Sequence, residues 1–381
     1  MARKTLSHLM LIIGAALVVI AVLLPTFLVP KFKVIPLDTV STSVTETREG
    51  TLLDASQLAA GEPVAPRADD ERCQDEENLP LHCFINDEVP LFTSRHIHVE
   101  EPSDEDWVTL QAGLVMGRED KEEPDNLVTA TLDRVTLDRR TSLPVNEPIS
   151  TFSLSDPGQE GSDDPVEFTR PGIQYKFPFD AEKKSYQYFD GNALQAFPID
   201  FMREEEQDGE TVYVYEQSIG PVNLYESVRD HFTQDGGELT EAEESSLASL
   251  RLAFPAENWG LEGDEEVEMS RYYTNTRTLR IEPTTGQIVN GTEQIFQFYA
   301  QDDEEAEEIA SEEGREREAQ ELNRTAMRYD AQWDEDTMAT QMGSAKDSKG
   351  MLNMAGTIAP WVVGIIGVIL IALGLITYRR A

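Results

Sequence analysis

The residues best able to do chemistry are His96 and His98, two imidazoles separated by one residue and followed in phase by Glu100. If this run is a strand, its alternation puts the three side chains on one face, where they could share a metal ion with a ligand from elsewhere. Paired surface histidines on a strand are far commoner than a metal centre. We therefore predict no metal site here.

The chain carries none of the usual catalytic signatures. It lacks a Gly-x-Ser-x-Gly elbow, an HExxH pair, a phosphate-binding loop and a dinucleotide fingerprint. The acidic run at 302–305 lacks the regular ligand spacing of a calcium loop. We predict that the protein is not an enzyme, with no catalytic residues and no cofactor.

The two cysteines, Cys73 and Cys83, are too far apart for a C-x-x-C redox motif, and no further metal ligands accompany them. We expect a structural disulfide that closes a short acidic loop, which suits an oxidising location outside the cytoplasm. Two free or buried thiols are the alternative.

An aromatic segment at 172–190 is the most distinctive stretch of the chain. Alternation places the first three of its rings on one face of an extended strand. Core packing is the plainer interpretation, and a ring-lined ligand groove is the alternative. The candidate ligand-contact residues are Tyr175, Phe177, Phe179, Tyr186, Tyr188 and Phe189.

Two apolar stretches flank the part of the chain that holds all of these residues. Residues 9–29 and 358–378 each hold 21 positions without a charged side chain, about the length that crosses a ~30 Å hydrocarbon core. Basic residues flank their outer ends, which favours two cytoplasmic termini and an extracytoplasmic middle. A cleaved signal peptide is the alternative for the first stretch, but no Ala-x-Ala site follows it.

The charge of the middle part restricts its partners. Four of the 31 Lys and Arg residues lie outside the two apolar stretches and none of the 72 Asp and Glu residues does, so the middle carries a net charge of −45. Such a surface repels nucleic acid and anionic head groups. The plain interpretation is a solvated surface, and diffuse binding of divalent cations and adaptation to a high-salt environment are the alternatives.

Between these stretches we predict a mainly β (α+β) domain of antiparallel curved sheets with a helical insertion. Strand-like runs separated by acidic turns at 83–87, 90–101, 106–117, 126–140, 209–222 and 271–300 support this prediction. We also expect a strand at 32–39 and a partly ordered loop at 40–72. The insertion, near 233–264, holds a capping box at Thr240 and Glu243 that begins a helix continuing to Phe254.

The predicted organisation is a cytoplasmic N-terminus at 1–8, a signal anchor at 9–29 and a β-rich domain at 30–300. An acidic amphipathic helix and a looser connector follow at 301–350, then the second span at 351–378 and a cytoplasmic end at 379–381. The helix is predicted from an apolar stripe of Ala319, Leu322, Ala326, Tyr329 and Trp333.

Residues 138–146 and 282–290 are similar in sequence and align without a gap. Each begins with an acid, has Thr at the third following position and ends in Val-Asn. Both follow a strand-like run and could be the tips of equivalent hairpins. Duplication of a β-unit and chance recurrence of turn chemistry both remain open.

Small residues in the apolar stretches allow close contact between helices. The second stretch has small side chains at Gly364, Gly367 and Gly374. The residues that could face them on the first stretch are Gly14, Ala15 and Ala21. Neither stretch holds an ionisable residue, which argues against an ion pathway through them.

Several segments together resemble the actinobacterial PorA-like (porin PorA) family, largely of unknown function. They are VIPLDT at 34–39, DRVTLDRRTSLPV at 133–145, GIQYKFPFDAEKKSYQYFD at 172–190 and LRIEPTTGQIV at 279–289. The resemblance covers nearly the whole chain, and Ser142 stands where glycine would be usual. It implies an envelope protein held in the cytoplasmic membrane with a β-rich extracytoplasmic domain, and it supplies no catalytic residues.

The resulting functional prediction is a double-anchored envelope protein with a non-catalytic binding or interaction role. Its partners would be the bilayer, an envelope lipid or protein, or further copies of the chain. Two alternatives remain: a lipid- or glycolipid-handling protein, which needs a deep apolar cavity, and an oligomeric pore. Outer-membrane porins are β-barrels, whereas this sequence offers two apolar helices.

Overall fold

The computed structural model describes residues 2–75, 79–155, 166–234 and 236–380, and its centre is one antiparallel sheet of 14 strands. The strands are β1 Val40–Val44, β2 Arg48–Leu53, β3 Ile85–Glu100, β4 Trp107–Arg118, β5 Leu127–Asp138, β6 Pro148–Ser155, β7 Glu167–Thr169, β8 Tyr186–Asp190, β9 Gln195–Gln207, β10 Glu210–Asn223, β11 Arg251–Pro255, β12 Glu266–Glu282, β13 Gln287–Ala300 and β14 Thr325–Gln332. Their order is β7-β6-β5-β4-β3-β2-β14-β13-β12-β10-β9-β8, with β1 on β3 and β11 on β12.

The antiparallel sheet is confirmed, and its helices make the whole a mixed α/β structure. The nine α-helices of the described residues are α1 Ala2–Phe27, α2 Val29–Phe32, α3 Ala55–Ala60, α4 Leu224–Phe232, α5 Glu241–Ala248, α6 Asp303–Ala310, α7 Glu312–Glu321, α8 Glu335–Asn353 and α9 Ala359–Arg379. A π-helical turn, Met354–Ile358, joins α8 to α9.

The sheet curves until the side chains of its two end strands meet. Phe168 on β7 and Phe189 on β8 lie with ring centroids 5.9 Å apart. Just past β7, the guanidinium of Arg170 stacks 4.0 Å from the ring of Phe189 and forms a buried ion pair with Asp133 of β5. β7 and β8 share no strand ladder, so the two ends are joined by these side-chain contacts and by a short backbone bridge between Ile173 and Tyr188.

The two apolar terminal helices pack against each other in antiparallel fashion. A Cβ on Gly14 would lie 2.7 Å from the carbonyl oxygen of Gly367, and a Cβ on Gly367 would lie 2.8 Å from that of Gly14. The hydroxyl of Ser7 donates to the carbonyl of Gly374 over 2.7 Å. The two helices are long and apolar enough to cross a membrane by length and composition.

Among the small residues expected at this contact, Gly364 faces Ala21 at an ordinary 3.4 Å and Gly374 packs against Leu11. Ala15 was expected there too, but it is exposed on the outer surface of α1. The glycines therefore allow backbone approach at Gly14 and Gly367, while the rest of the contact is ordinary packing.

The N-terminal part of the domain differs from its prediction in two places. The strand expected at 32–39 is wrong: α2 ends at Phe32, and the chain runs irregularly to β1. No strand ladder forms there. The backbone N–H of Ile35 donates to the carbonyl of Arg139 at 2.8 Å, and Pro36 has no N–H to continue the pairing. The loop expected at 40–72 is also wrong, because β1, β2 and α3 occupy it; the carboxylate of Asp54 caps α3.

The capping box at Thr240 and Glu243 is confirmed as the start of α5. That helix stops at Ala248 instead of continuing to Phe254, because Arg251–Pro255 pairs with β12 as a strand. A further helix, α4, precedes the predicted insertion and begins at Leu224.

The single acidic helix expected from residue 302 to Trp333 is wrong. Two short helices, α6 and α7, end where Leu322 takes a left-handed conformation with φ of +55°. Ala326 and Tyr329 then lie on β14, which pairs with β13 and β2. Strand pairing inside the sheet overrides the helical spacing of the apolar residues, and β14 extends the sheet beyond residue 300.

The looser connector expected before the second span is a helix as well. Asp334 caps α8 by accepting a hydrogen bond from the backbone N–H of Thr337 at 2.7 Å. From there the helical segment Glu335–Arg379 spans 45 residues without a break. The domain is therefore joined to the second apolar stretch by a rigid element.

Candidate functional site

A cavity of about 880 Å³ lies where the domain meets the two terminal helices. One wall is β1 and the irregular segment before it, α8 forms the adjoining wall, and the sheet and the turn between β12 and β13 complete the lining. The volume falls within the ~300–1,000 Å³ of typical ligand pockets. Its apolar lining includes Ile35, Ile97, Leu110, Phe179, Ile288 and Trp333.

Hydrogen bonds from α8 attach this helix directly to β1. The side-chain amide of Gln341 donates to the Ser41 hydroxyl at 2.9 Å and to the Thr42 carbonyl at 3.1 Å. One turn earlier, Thr337 exchanges hydrogen bonds with the backbone N–H and carbonyl of Val44. The helix is thus fastened directly to β1, and the two elements form one continuous side of the cavity.

Two aromatic residues enter the cavity from the segment that precedes β8. Tyr175 has a positive φ of +67°, and its hydroxyl donates to the buried carboxylate of Asp133, which also pairs with Arg170. Burial, with the nearby Asp133 charge, raises the pKa of the Tyr175 hydroxyl well above its ordinary value, so it stays a donor. The ring is therefore anchored at its far end while its face lines the cavity.

Lys176 supplies a half-buried amine to the cavity wall. Its Nζ donates to the carbonyls of Phe177 at 3.0 Å and Thr285 at 2.5 Å, and it lies 3.7 Å from the centroid of the Phe179 ring. Burial lowers the pKa of this amine to about 7, and the charge of Glu282 opposes the shift. Lys176 is accordingly poised between its neutral and charged forms near neutral pH.

Arg95, on β3, is the second cationic residue of the wall. Its guanidinium lies 5.7 Å from the centroid of the Tyr175 ring. Within the described parts of the chain it makes no side-chain hydrogen bond or ion pair. A guanidinium has five N–H donors, so these donors face the cavity with their capacity unused.

The two similar segments at 138–146 and 282–290 prove to be turns of the same kind beside this cavity. Asp138 accepts from the backbone N–H and hydroxyl of Thr141, and Glu282 does the same with Thr285, all between 2.8 and 2.9 Å. The next residue in each has a positive φ: +59° at Ser142 and +72° at Gly286. The left-handed φ at Ser142 explains why glycine would suit that position.

Both turns hydrogen-bond to the backbone of Phe177. The Ser142 hydroxyl donates to the carbonyl of Phe177 at 3.3 Å, while the backbone N–H of Phe177 donates to the carbonyl of Gly286 at 2.8 Å. The segment that carries Tyr175, Lys176 and Phe179 is thereby held between two matching turns.

The six aromatic residues predicted as ligand contacts divide into two groups. Tyr175 and Phe179 line the cavity. The others pack elsewhere: Phe177 and Tyr188 are buried in a core cluster with the half-buried Tyr186, and Phe189 is buried against Phe168. No strand runs through 175–179, because the positive φ of Tyr175 and of Asp180 breaks the extended conformation that alternation requires.

The histidine pair lies on β3 but gathers no third ligand among the described residues. His96 and His98 have ring centroids 5.6 Å apart. The Nδ1 atom of His96 contacts the Thr42 hydroxyl at 2.9 Å, and the Nε2 atom of His98 contacts the Glu100 carboxylate at 2.9 Å. One ring nitrogen of each histidine thus has its own separate partner, and among the described residues the two rings share no further ligand.

The sulfur atoms of Cys73 and Cys83 are bonded to each other. Beside them, His82 is buried and contacts the carboxylate of Asp70 at 2.8 Å. Cys73, Asp70 and His82 form the one group in the described residues with the proximity of three metal ligands. Because the sulfur of Cys73 is bonded in the disulfide and is not a free thiolate, we assign this group a structural role.

Sequence reasoning missed Arg95, Lys176 and the walls of the cavity. The walls come from parts of the chain as distant as residues 35 and 355, which no local pattern connects. One signal was available: Lys176 sits between two aromatic residues in a segment otherwise suited to burial. A lysine in such a segment has to be hydrogen-bonded or functional.

Comparison with known proteins gives a consistent result. The family described as "Porin PorA" matches residues 6–376. A protein of Corynebacterium amycolatum named "Porin PorA" is 59% identical over 378 residues, which cover 98% of this chain and 98% of the relative. Another of that name, from Corynebacterium resistens, is 44% identical over 399 residues, covering 98% and 96%.

Proposed function

Because the chain belongs to the Porin PorA family, we propose that it is an envelope membrane protein anchored at both ends, whose extracytoplasmic domain binds a partner without catalysing a reaction. The observation that carries this proposal is the cavity of about 880 Å³ at the junction of the domain and the two apolar helices. A cavity lined by rings, aliphatic groups and a few polar side chains suits binding.

The charges support the proposed orientation. Arg3 and Lys4 precede the first apolar helix, and Arg379 and Arg380 follow the second. Since the helices are antiparallel, these basic ends lie on the same side, as the positive-inside rule requires for two cytoplasmic termini. The domain, with its net charge of −45, then lies on the opposite side.

Cysteine labelling on spheroplasts tests this arrangement. The two native cysteines are bonded to each other, so an introduced cysteine is the reactive thiol. A membrane-impermeant maleimide should label Glu304→Cys, on the exposed surface of α6, without lysis. It should label Arg380→Cys only after lysis. Labelling of Arg380→Cys in intact spheroplasts, or protection of Glu304→Cys, contradicts the proposal.

A second candidate function is an oligomeric pore, and the name "Porin PorA" carried by both relatives favours it over a purely binding role. The outer surfaces of the two helices are apolar, with Val22 66% and Trp361 69% exposed. A single pair of helices therefore offers no polar lining, and a pore would require several copies. In planar bilayers, step conductances that rise steeply with protein concentration would support the pore. Their absence from protein that is folded and inserted would leave the binding role.

A further inference from the structure

We propose that the cavity is a binding site for a single-chain anionic amphiphile taken from the membrane, with its acidic head group on Arg95 and its chain directed toward the bilayer. The inference deepens the binding role proposed above and rests on its membrane anchoring. It follows from the rim of the cavity, from the placement of its cations and from the polar groups around them.

The rim of the cavity is apolar, exposed and continuous with the two terminal helices. Phe32 ends α2, and Met351 and Met354 lie where α8 passes into the second span; all three line the cavity. Their exposed fractions are 56%, 66% and 54%, and that of Val40 at the start of β1 is 66%. Apolar groups exposed where a chain enters the bilayer lie in contact with lipid, so a lipid can pass from the membrane into the cavity without crossing water.

Arg95 lies deeper than this rim. On the ladder between β1 and β3, Val40 pairs with His98, whereas Arg95 pairs with Ser43, three residues further along. At ~3.3 Å per residue this puts Arg95 about 10 Å from the rim along the strand. An amphiphile with its acidic group at Arg95 therefore has its chain beside the aliphatic lining and the rim.

The polar inventory of the cavity selects a negative head group. Arg95 brings unused N–H donors, and Lys176 brings an amine that already donates to two backbone carbonyls. The hydroxyl groups of Ser41, Ser344 and Ser348 add weaker partners on the two walls. The one carboxylate of the lining belongs to Asp38, which is exposed at the mouth. Guanidinium is the side chain best matched to carboxylate and phosphate oxygens.

Trp333 lines the cavity and can report its occupancy. The purified full chain would carry Trp361→Phe, which removes the indole of the second span, in dodecyl maltoside. The probe is 5-doxyl-stearate, a carboxylate whose nitroxide quenches nearby indoles; its neutral methyl ester is the comparison. We expect saturable quenching by the acid, weaker quenching by the ester, and loss of the saturable part when Trp333→Phe is added.

Two variants examine the site itself. Arg95→Gln should weaken binding of the acid about tenfold or more, as for the loss of a hydrogen bond to a charged group. Arg140→Gln, which removes an arginine on the exposed surface, should bind as the parent does. Ser348→Phe should fill the cavity and abolish saturable quenching. Gly343→Phe, on the same helix but with open space at its Cβ, should preserve it.

Quenching that survives Ser348→Phe, or that persists unchanged after Trp333→Phe, places the probe outside the cavity and overturns the site. Equal affinity of parent and Arg95→Gln overturns the assignment of the head group. Because the titration is done in detergent, it does not depend on orientation in the cell. The labelling experiment on spheroplasts fails or succeeds independently, so the two proposals can be distinguished.

Discussion

At the scale of single residues, Gly286 combines two demands that are usually separate. Its φ of +72° is a conformation that favours glycine, and a Cβ there would overlap the carbonyl oxygen of Phe177. Gly209 has a similar φ of +78°, but nothing lies within 4 Å of its Cβ position. The two positions separate backbone strain from steric overlap.

We expect Gly286→Ala to lower the free energy of unfolding by about 3–5 kcal/mol, because overlap with a fixed backbone adds to the left-handed strain. Gly209→Ala should cost only about 1 kcal/mol, the strain alone. Thermal unfolding of both variants in detergent measures the difference. Equal losses would mean that the Phe177 segment moves aside readily and that the turn does not hold it.

Lys176 makes stability depend on pH. Its pKa is about 7 in the folded protein, against an ordinary value of 10.5, so between these values the unfolded chain binds more protons. Stability must therefore rise as pH increases from about 7 toward 10, and below pH 7 the folded protein bears the full cost of burying the charge.

Between pH 7 and pH 9, the unfolding free energy of the lipid-free parent should rise by about 1–2 kcal/mol relative to that of Lys176→Met. This figure is reduced from the ideal slope because the amine partly faces the cavity. Melting temperatures of the two proteins across this range provide the measurement. Lys184→Met removes an exposed lysine whose pKa is raised by its hydrogen bond to Glu182, so it should run parallel to the parent. If the melting temperature of Lys176→Met also changes with pH in parallel with that of the parent, the lowered pKa of Lys176 is refuted.

At the scale of elements, the joint between the two ends of the sheet depends on Arg170. Its side chain is fully buried, pairs with Asp133 on β5, and lies over the rings of Phe168 on β7 and Phe189 on β8. The same carboxylate accepts the hydroxyl of Tyr175 from the cavity wall. One guanidinium thus links the closure of the sheet to the site.

We expect Arg170→Leu to cost about 3–5 kcal/mol, because it leaves a buried carboxylate without its partner. Arg140→Leu, which removes one half of the exposed pair with Asp106, should produce no measurable change. Hydrogen exchange of β7 and β8 shows whether the joint has opened. Unchanged protection of both strands in Arg170→Leu would show that the end strands hold together without it.

The contact between the terminal helices is a second joint, formed by backbone instead of charge. Gly367→Ala would place a methyl group 2.8 Å from the carbonyl oxygen of Gly14, whereas Gly364→Ala would meet Ala21 at an ordinary 3.4 Å. The first change should cost about 1–3 kcal/mol by overpacking, and the second should be close to neutral. The melting temperatures of the two variants in detergent test this, and equal values would mean that the helices separate easily.

Sequence predicted the elements best where local pattern and tertiary pairing agree. Alternating runs marked β4, β5 and β12, and the capping box marked α5. The prediction failed at Tyr329, whose helical spacing from Leu322 and Ala326 was real, because a left-handed residue and two neighbouring strands decide the outcome there. Of the site, Tyr175 and Phe179 were foreseen, while Arg95 was not, because its role comes from a neighbour 80 residues away.

At the scale of the whole molecule, the domain must fold against its own charge. The middle of the chain holds 72 acidic side chains against 27 basic ones. Many of the acids lie on exposed helices such as α6 and α7, whereas ion pairs such as Arg170–Asp133 are buried and screened little by salt. Repulsion between exposed acids therefore dominates the dependence of stability on salt.

We expect the melting temperature to rise with NaCl from about 0.01 to 0.1 M, as the Debye length falls from about 30 to 10 Å. Glu307→Gln combined with Glu316→Gln, both exposed and both beyond a first helical turn, should melt higher at low salt and respond less to added NaCl. Magnesium chloride at equal ionic strength distinguishes screening from binding, since an additional rise would reveal bound divalent cations. A melting temperature that falls with NaCl would show that attractive surface pairs outweigh the repulsion, and the acidic surface would then be a stabilising network.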